Sequence, residues 1–339
     1  MKCVKINGPK DLVVSEIDKP ISKDGKVVIK VESCGICGSD IHYWVSGEPK
    51  GLVMGHEFAG EVVDPGSRDD LKVGDRVTGL PISPCGKCEP CKTGNPQYCK
   101  DTWTYAVGLS LTNPGGYAEF TSCRPDLVRK MPDNMTYEQA AMVEPSAVSL
   151  HAVRLGNITV GSKVLVIGAG IIGEMAIEFA KLSGASFVGV VEVNELRGKK
   201  AVSVGVADKY YNALNSNLIE ELLKDSCGGF DVIIECCGNT GAITEAILAC
   251  KPNGTIVLVG VSLGNVNIPL VKAVLSEINL KGSIAYTEKD FDDTISLISD
   301  KKIDVCKYID DIVPLEKANE SFERLTSGSD SAIKILLKP

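Results

Sequence analysis

The hydrophobic pattern changes character along the chain. Up to about residue 145, short β-type runs, such as 27–31 and 61–63, are separated by turn signals such as Asp64-Pro65-Gly66 and Val73-Gly74-Asp75. That alternation predicts an irregular, mostly β unit. From about Gly161, strand and helix patterns alternate. Lys163–Ile167 ends in four consecutive apolar residues, as a strand buried on both faces requires. In 171–184, Ile171, Met175 and Phe179 recur at i, i+4 and i+8. Glu174, Glu178 and Lys181 take the opposite side and Gly184 marks a stop, so this segment reads as a helix. Further strands read at 187–193, 208–211, 230–236, 255–261 and 280–286, with helical stretches between them. Six strands joined by helical crossovers predict a doubly wound parallel sheet, and the chain as a whole is α/β.

Length supports a division. At 339 residues the chain exceeds what one hydrophobic core usually supports. The mixed tail after about 285 is too short for a core of its own, so it is expected to rejoin the N-terminal unit. The expected domains are therefore 1–146 with 285–339, and 147–284 for the parallel sheet.

Composition narrows the function. The net charge of -8, without a Lys/Arg cluster, argues against nucleic acid or an anionic membrane as partner. No apolar run approaches the roughly 18 residues that cross a bilayer. The N-terminal stretch MKCVKINGPKDLVV lacks the apolar core and cleavage site of a secretory signal, so the cytoplasm is the expected location. In that reducing compartment, thirteen cysteines point to metal ligands before disulfides. There are three histidines, His42, His56 and His151.

Gly168-Ala-Gly170-Ile-Ile-Gly173 follows a strand and opens a helix. In that setting the glycines permit a tight turn, close approach of a pyrophosphate, and close helix–strand packing. Ile172 lies within the same turn. Glu192 ends the next strand about 20 residues beyond Gly173, where a carboxylate accepts from ribose hydroxyls and repels a 2′-phosphate. This favours NAD over NADP, although Arg197 lies near enough to pair a phosphate.

Cys85-x-x-Cys88-x-x-Cys91 and Cys99 place four thiols within fifteen positions, among Gly86, Pro90, Gly94 and Pro96. A tight loop with four sulfurs suits tetrahedral zinc and leaves no open position, so this zinc is expected to be structural. Disulfides fit the compartment poorly, and the spacing does not match iron–sulfur runs. A second site is less readable. Cys34-Gly-Ile-Cys37-Gly-Ser39-Asp40-Ile-His42, Gly55-His56-Glu57 and Glu144-Pro145 could supply one thiolate, one imidazole and one carboxylate. That set leaves a coordination position open, as a catalytic zinc needs. Spacing alone does not join these residues, and a structural histidine or a surface carboxylate is the alternative for His56 and Glu144.

Here the chain resembles the zinc-containing medium-chain dehydrogenase/reductase family, nearly end to end. The motifs that carry the likeness are C-G-I-C-G-S-D-I-H, G-H-E-F-A-G-E-V, V-G-D-R-V, the cysteine lobe, G-G-Y-A-E-F, the stretch around Glu144, and G-A-G-x-x-G. The resemblance implies a GroES-like catalytic domain beside a Rossmann domain, with two zinc ions per chain. It implies Cys37, His56 and Glu144 as catalytic zinc ligands, with Glu57 adjacent or exchanging and Asp40 orienting His56. Ser39 and His42 would relay the proton, while Cys34 and His151 would not ligate. Val259, Gly260 and Val261 would line the cofactor, and a homodimer or homotetramer is expected.

The implied reaction is hydride transfer between NAD and a secondary alcohol. Glu144 as third ligand marks the polyol and diol branch, with Tyr43 and Tyr286 toward substrate. Sugar-polyol enzymes carry an arginine where Ala285 stands. Alanine there makes the pocket smaller and less polar, which favours a small vicinal diol or hydroxyketone such as butanediol or acetoin. Sorbitol-like polyols and hexitol phosphates are the alternatives. A non-catalytic NAD-binding zinc protein is the rival from another class, opposed by the joint presence of Cys37, Ser39, His42, His56 and Glu144.

Overall fold

The structure is a computed structural model that describes residues 1–262 and 264–339. The chain forms two compact units. One comprises Met1–Pro145, Tyr286–Ser327 and Lys334–Pro339; the other comprises Ser146–Ala285 and Gly328–Ile333.

Among the described residues, the second unit is built on six parallel strands. Their order is Lys209–Asn212, Phe187–Glu192, Lys163–Ile167, Phe230–Glu235, Cys250–Leu258, Asn279–Gly282. The order reverses between Lys163–Ile167 and Phe230–Glu235, so this end of the sheet has the switch point at which α/β proteins bind ligands. Val164, Leu165, Val166, Ile233, Ile234, Ile256 and Val257 are wholly buried along the central strands. Each such side chain contributes roughly 1.5–3 kcal/mol of apolar burial. The doubly wound sheet read from the apolar runs is therefore present.

Strand ends differ from the sequence reading for local reasons. The 255–261 strand starts earlier, at Cys250, and stops at Leu258 because the Val259 and Gly260 N–H groups both turn to the Glu235 carbonyl. The 280–286 strand shortens to Asn279–Gly282; Ser283 donates to the Leu258 carbonyl, and Ala285 then takes φ +48°. That left-handed bend sends Tyr286 into the other unit. The segment 328–333, expected with the tail, clusters with the parallel-sheet unit instead. Asn194 Nδ2 donates to the Gly328 and Asp330 carbonyls, and Arg197 Nη2 donates to the Ala332 carbonyl at 2.7 Å. These bonds tie the loop's backbone to the helix Glu195–Ser203 and its cap.

The first unit carries a mostly antiparallel seven-stranded sheet. Its path runs Asp311–Pro314, Ile335–Lys338, Val27–Gly35, Glu57–Asp64, Arg76–Gly79, Val128–Lys130, with Phe120–Cys123 also paired to Val27–Gly35. Ile335–Lys338 pairs antiparallel with Val27–Gly35, so the C-terminal strand joins the N-terminal sheet.

The glycine turn generates a stability prediction. A Cβ on Gly173 would lie 1.9 Å from the Gly168 carbonyl oxygen, which is backbone and cannot swing aside. Gly173→Ala is expected to destabilise the parallel-sheet unit by roughly 1–3 kcal/mol, as overpacking does. Urea unfolding followed by far-ultraviolet circular dichroism checks this; an unchanged midpoint would contradict the packing.

Candidate metal centres and dinucleotide site

Cys37 immediately precedes the helix Gly38–Ser46. Asp40, one turn in and fully buried, folds back: its Oδ2 accepts from Cys37 N at 3.2 Å and from the Tyr117 hydroxyl at 2.7 Å. Its Oδ1 lies 3.5 Å from His56 Nδ1. This occupies one edge of the imidazole and leaves the other nitrogen free to bind a metal, the usual arrangement behind a metal-bound histidine.

His56 leads into the strand Glu57–Asp64, and Glu57 pairs with Gly35 across the ladder. The missing side chain at Gly35 is necessary, since a Cβ there would sit 2.0 Å from Glu57 Oε2. Into this space reaches Lys334, whose Nζ donates to Glu57 Oε2 and, at 2.9 Å, to the Ile36 carbonyl. Lys334 and Glu57 are both inaccessible to solvent. Burial alone would pull the Lys334 pKa down, but Glu57 and Cys37 beside it raise the value above the ordinary lysine range. Glu57 Oε1 is buried without a hydrogen-bond partner. One ligand atom each from Cys37, His56 and Glu57 lie within 4.8 Å of one another, and an orphaned carboxylate oxygen in such a set suits a divalent cation.

Glu144 stands beside this trio without joining it. It is buried, and its Oε1 accepts from the Tyr286 hydroxyl at 2.9 Å. Burial pushes its carboxyl up to about 7, opposed by His56 and the Tyr286 hydrogen bond and reinforced by Glu57. Ser39 is exposed and donates to Cys37 Sγ at 3.3 Å. His42 lies one turn further along the same helix, exposed, and Tyr43 is half-buried. Tyr286 is buried, with its hydroxyl committed to Glu144. Cys34 is fully buried, and burial pushes its thiol well above the usual range. His151 is buried as well.

Cys85, Cys88, Cys91 and Cys99 converge, with sulfurs within 4.8 Å of one another. Main-chain amides point at the sulfurs: Cys88 N donates to Cys85 Sγ, and Cys85 N and Asp101 N donate to Cys99 Sγ, at 3.3 to 3.4 Å. The amides of Lys87 and Cys88 bring the Cys85 thiol down to about 6. Such donors stabilise thiolates, so the loop is built for a cation bound by sulfur.

In the other unit, Gly168 takes φ +102° and Gly170 heads the helix Ile171–Leu182. A Cβ on Gly170 would meet open space, so the backbone there is accessible to a ligand at a helix N-terminus. The Glu192 carboxylate closes over the turn, accepting from Ala169 N at 2.7 Å and Asn194 N at 2.8 Å. Ile172 is half-buried and its carbonyl accepts from Ser149 Oγ. Gly260 packs on Gly238 and Val261 is exposed.

Two residues at the first site escaped the sequence reading. Tyr117 lay inside a quoted motif but has no role until its hydroxyl is seen on Asp40. Lys334 had a visible signal, a single charge in the apolar run Ala332-Ile-Lys-Ile-Leu-Leu.

Comparisons with known proteins define the class. Residues 23–133 match the alcohol dehydrogenase GroES-like domain, and residues 172–300 match the zinc-binding dehydrogenase domain. Sorbitol dehydrogenase from Pongo abelii is 35% identical over 346 residues, spanning 98% of this chain and 94% of that protein. The crystal structure of 2R,3R-butanediol dehydrogenase from Bacillus subtilis superposes with a TM-score of 0.89 at 32% identity, covering 100% of this chain and 99% of that one. A zinc-binding dehydrogenase from Sinorhizobium meliloti 1021, solved bound to NADP, gives 0.90 at 28% identity, with 100% and 99% covered. The chain belongs to the zinc-containing medium-chain dehydrogenase/reductase family. Within it, the chain falls in the polyol and diol branch of zinc-dependent dehydrogenases.

The buried ion pair generates a prediction. Lys334→Met strands the Glu57 carboxylate in a site closed to water, and breaking such a pair costs roughly 3–5 kcal/mol. Chemical denaturation should show that loss, with part of it recovered in the double variant Glu57→Gln/Lys334→Met. A Lys334→Met protein as stable as the parent would contradict the pairing.

Proposed function

We propose that the protein interconverts a small vicinal diol and its hydroxyketone, using NAD and a zinc ion held by Cys37, His56 and a carboxylate. The observation that carries this is the buried convergence of Cys37, His56 and Glu57, with Glu144 alongside and the Ser39 hydroxyl on the Cys37 sulfur. A second zinc is held by Cys85, Cys88, Cys91 and Cys99 for structure. When bound, the catalytic zinc supplies Lewis acidity to the alcohol oxygen. Ser39 takes the proton released there as it gives its own to His42, and exposed His42 passes that proton to water. NAD, held at the glycine turn Gly168–Gly173, would supply the hydride acceptor for the carbinol carbon. Asp40, held by Tyr117, keeps the imidazole of His56 turned toward the metal.

NAD is preferred because the Glu192 carboxylate sits at the glycine turn, while an Arg197 nitrogen is spent on the Ala332 carbonyl. Val259, Gly260 and Val261 follow the neighbouring strand and are assigned to the cofactor on the same reading. The small substrate is favoured by Ala285, which offers a methyl group at the bend before Tyr286. A sugar polyol is the second reading, favoured by the 35% identity to a sorbitol dehydrogenase. Among the described residues, no helix is long and apolar enough to cross a membrane.

An exposed apolar edge supports self-association of the chain. Asn279–Gly282 ends the parallel sheet, and Leu270, Val271, Val274, Leu275 and Leu280 around it are 41 to 80% exposed. A second copy pairing on this edge, as a homodimer or as half of a homotetramer, would cover both the unpaired strand and these side chains.

Two tests follow. Across butanediol, sorbitol, a hexitol phosphate and threonine, kcat/KM with NAD should be highest for butanediol, and Glu192→Ala should erode the preference for NAD over NADP. A sorbitol value tenfold above butanediol would overturn the substrate choice, and an unmoved NAD/NADP ratio would overturn the role of Glu192. By light scattering, Leu275→Glu should lower the molar mass of the assembly toward the 36.0 kDa monomer; an unaltered mass would remove this edge from the interface.

A further inference from the structure

We propose that Tyr286 is a positioning residue for the metal centre: its hydroxyl holds Glu144 in one rotamer and decides which carboxylate oxygen faces the metal. This deepens the reading given above and rests on Glu144 being a ligand of the catalytic zinc.

Two buried carboxylates adjoin Cys37 and His56, and each is tethered by a different partner. Glu57 is tied through Oε2 to the Lys334 ammonium. Glu144 is tied through Oε1 to the Tyr286 hydroxyl at 2.9 Å. The Tyr286 proton takes up one lone-pair direction of Oε1 and none of Oε2, so Oε2 of Glu144 is the oxygen with the greater acceptor capacity left for a cation. The tether is itself rigid. Tyr286 is 1% exposed, and its ring packs on Phe291 at a centroid distance of 5.6 Å. Phe291 belongs to the helix Glu288–Ser299, whose start is fixed by Thr287 Oγ1 accepting from Asp290 N. The left-handed bend at Ala285 turns the chain so that the next residue enters this slot. Backbone bend, ring contact and hydroxyl together act on one carboxylate, the one outside the tight trio of Cys37, His56 and Glu57. Without the hydroxyl, Glu144 is free to swing and the metal must rely on Glu57, whose other oxygen Lys334 already holds.

The test uses the full zinc-loaded protein and the variant Tyr286→Phe, which removes one oxygen atom. Zinc release to a chelator and the visible spectrum of the cobalt(II)-substituted catalytic site are recorded, with the urea midpoint as a check on folding. The expected result is release from the catalytic site about tenfold faster, in the range seen when a group supporting a metal ligand is lost. An altered cobalt spectrum and unchanged retention at the four-cysteine site are expected as well. In a Glu144→Ala background the same substitution should change nothing, because the hydroxyl then has no carboxylate to hold. The Glu144→Ala comparison also separates loss of the hydroxyl bond from any general loosening of the fold.

Release and spectrum within twofold of the parent would overturn the proposal. So would an effect of Tyr286→Phe that persists without Glu144. A parent protein that binds one zinc per chain instead of two would overturn the catalytic-zinc reading itself, a result distinct from all of these.

Discussion

The buried pairing of Lys334 with Glu57 is the interaction on which the first unit depends. It spans 277 positions of sequence and joins the C-terminal strand to the strand that carries the metal-binding edge. Desolvating either charge alone would cost several kcal/mol, so neither strand can take its place without the other. The pairing also explains the small residue at Gly35, which clears the space where carboxylate and ammonium meet. A discontinuous unit, closed by the last residues of the chain, follows from this constraint.

Charge balance governs the rest of that site. The carboxyl groups of Asp40, Glu57 and Glu144 gather beside Cys37 in a place from which water is largely excluded. Lys334 pairs with Glu57, and although burial opposes it, Asp40 and Cys37 raise the His56 imidazole well above the usual histidine range. A closed set of sulfur, nitrogen and oxygen donors of this kind would suit a divalent cation. The burial that pushes the Glu144 carboxyl up to about 7 is the same burial that makes a cation there effective. Tyr117 and Tyr286 each spend their one proton on a buried acidic side chain, Asp40 and Glu144 respectively.

The dinucleotide unit rests on different physics. Its two central strands, Lys163–Ile167 and Phe230–Glu235, are apolar over most of their length, and its glycine turn relieves steric conflict. Glu192 and Glu235 each end a strand: Glu192 accepts the Asn194 amide from its own loop and the Ala169 amide from the neighbouring glycine turn, and Glu235 accepts the Cys237 and Gly238 amides that follow it. The loops that would meet a cofactor are thus held by carboxylates rooted in the sheet, while the strands need only pack.

Much of this was legible in one dimension, because it depends on near neighbours in sequence. Apolar runs and helical period announced the parallel sheet, the glycine spacing announced its first turn, and four cysteines within fifteen positions announced a sulfur site whose main-chain donors lie in the same loop. Strand limits at 258 and 282 were not legible, since they depend on bonds to Glu235 and Leu258 from other parts of the sheet. The cluster at Cys37 was unreadable from spacing, and only the family likeness linked its members. Its supports, Tyr117 on Asp40, Lys334 on Glu57 and Tyr286 on Glu144, are separated by 77, 277 and 142 positions. The sequence by itself determined most of the elements and the fold class. Which carboxylate each tether holds was decided only by tertiary structure, because a buried charge is assigned its partner by what the folded backbone brings within hydrogen-bond reach.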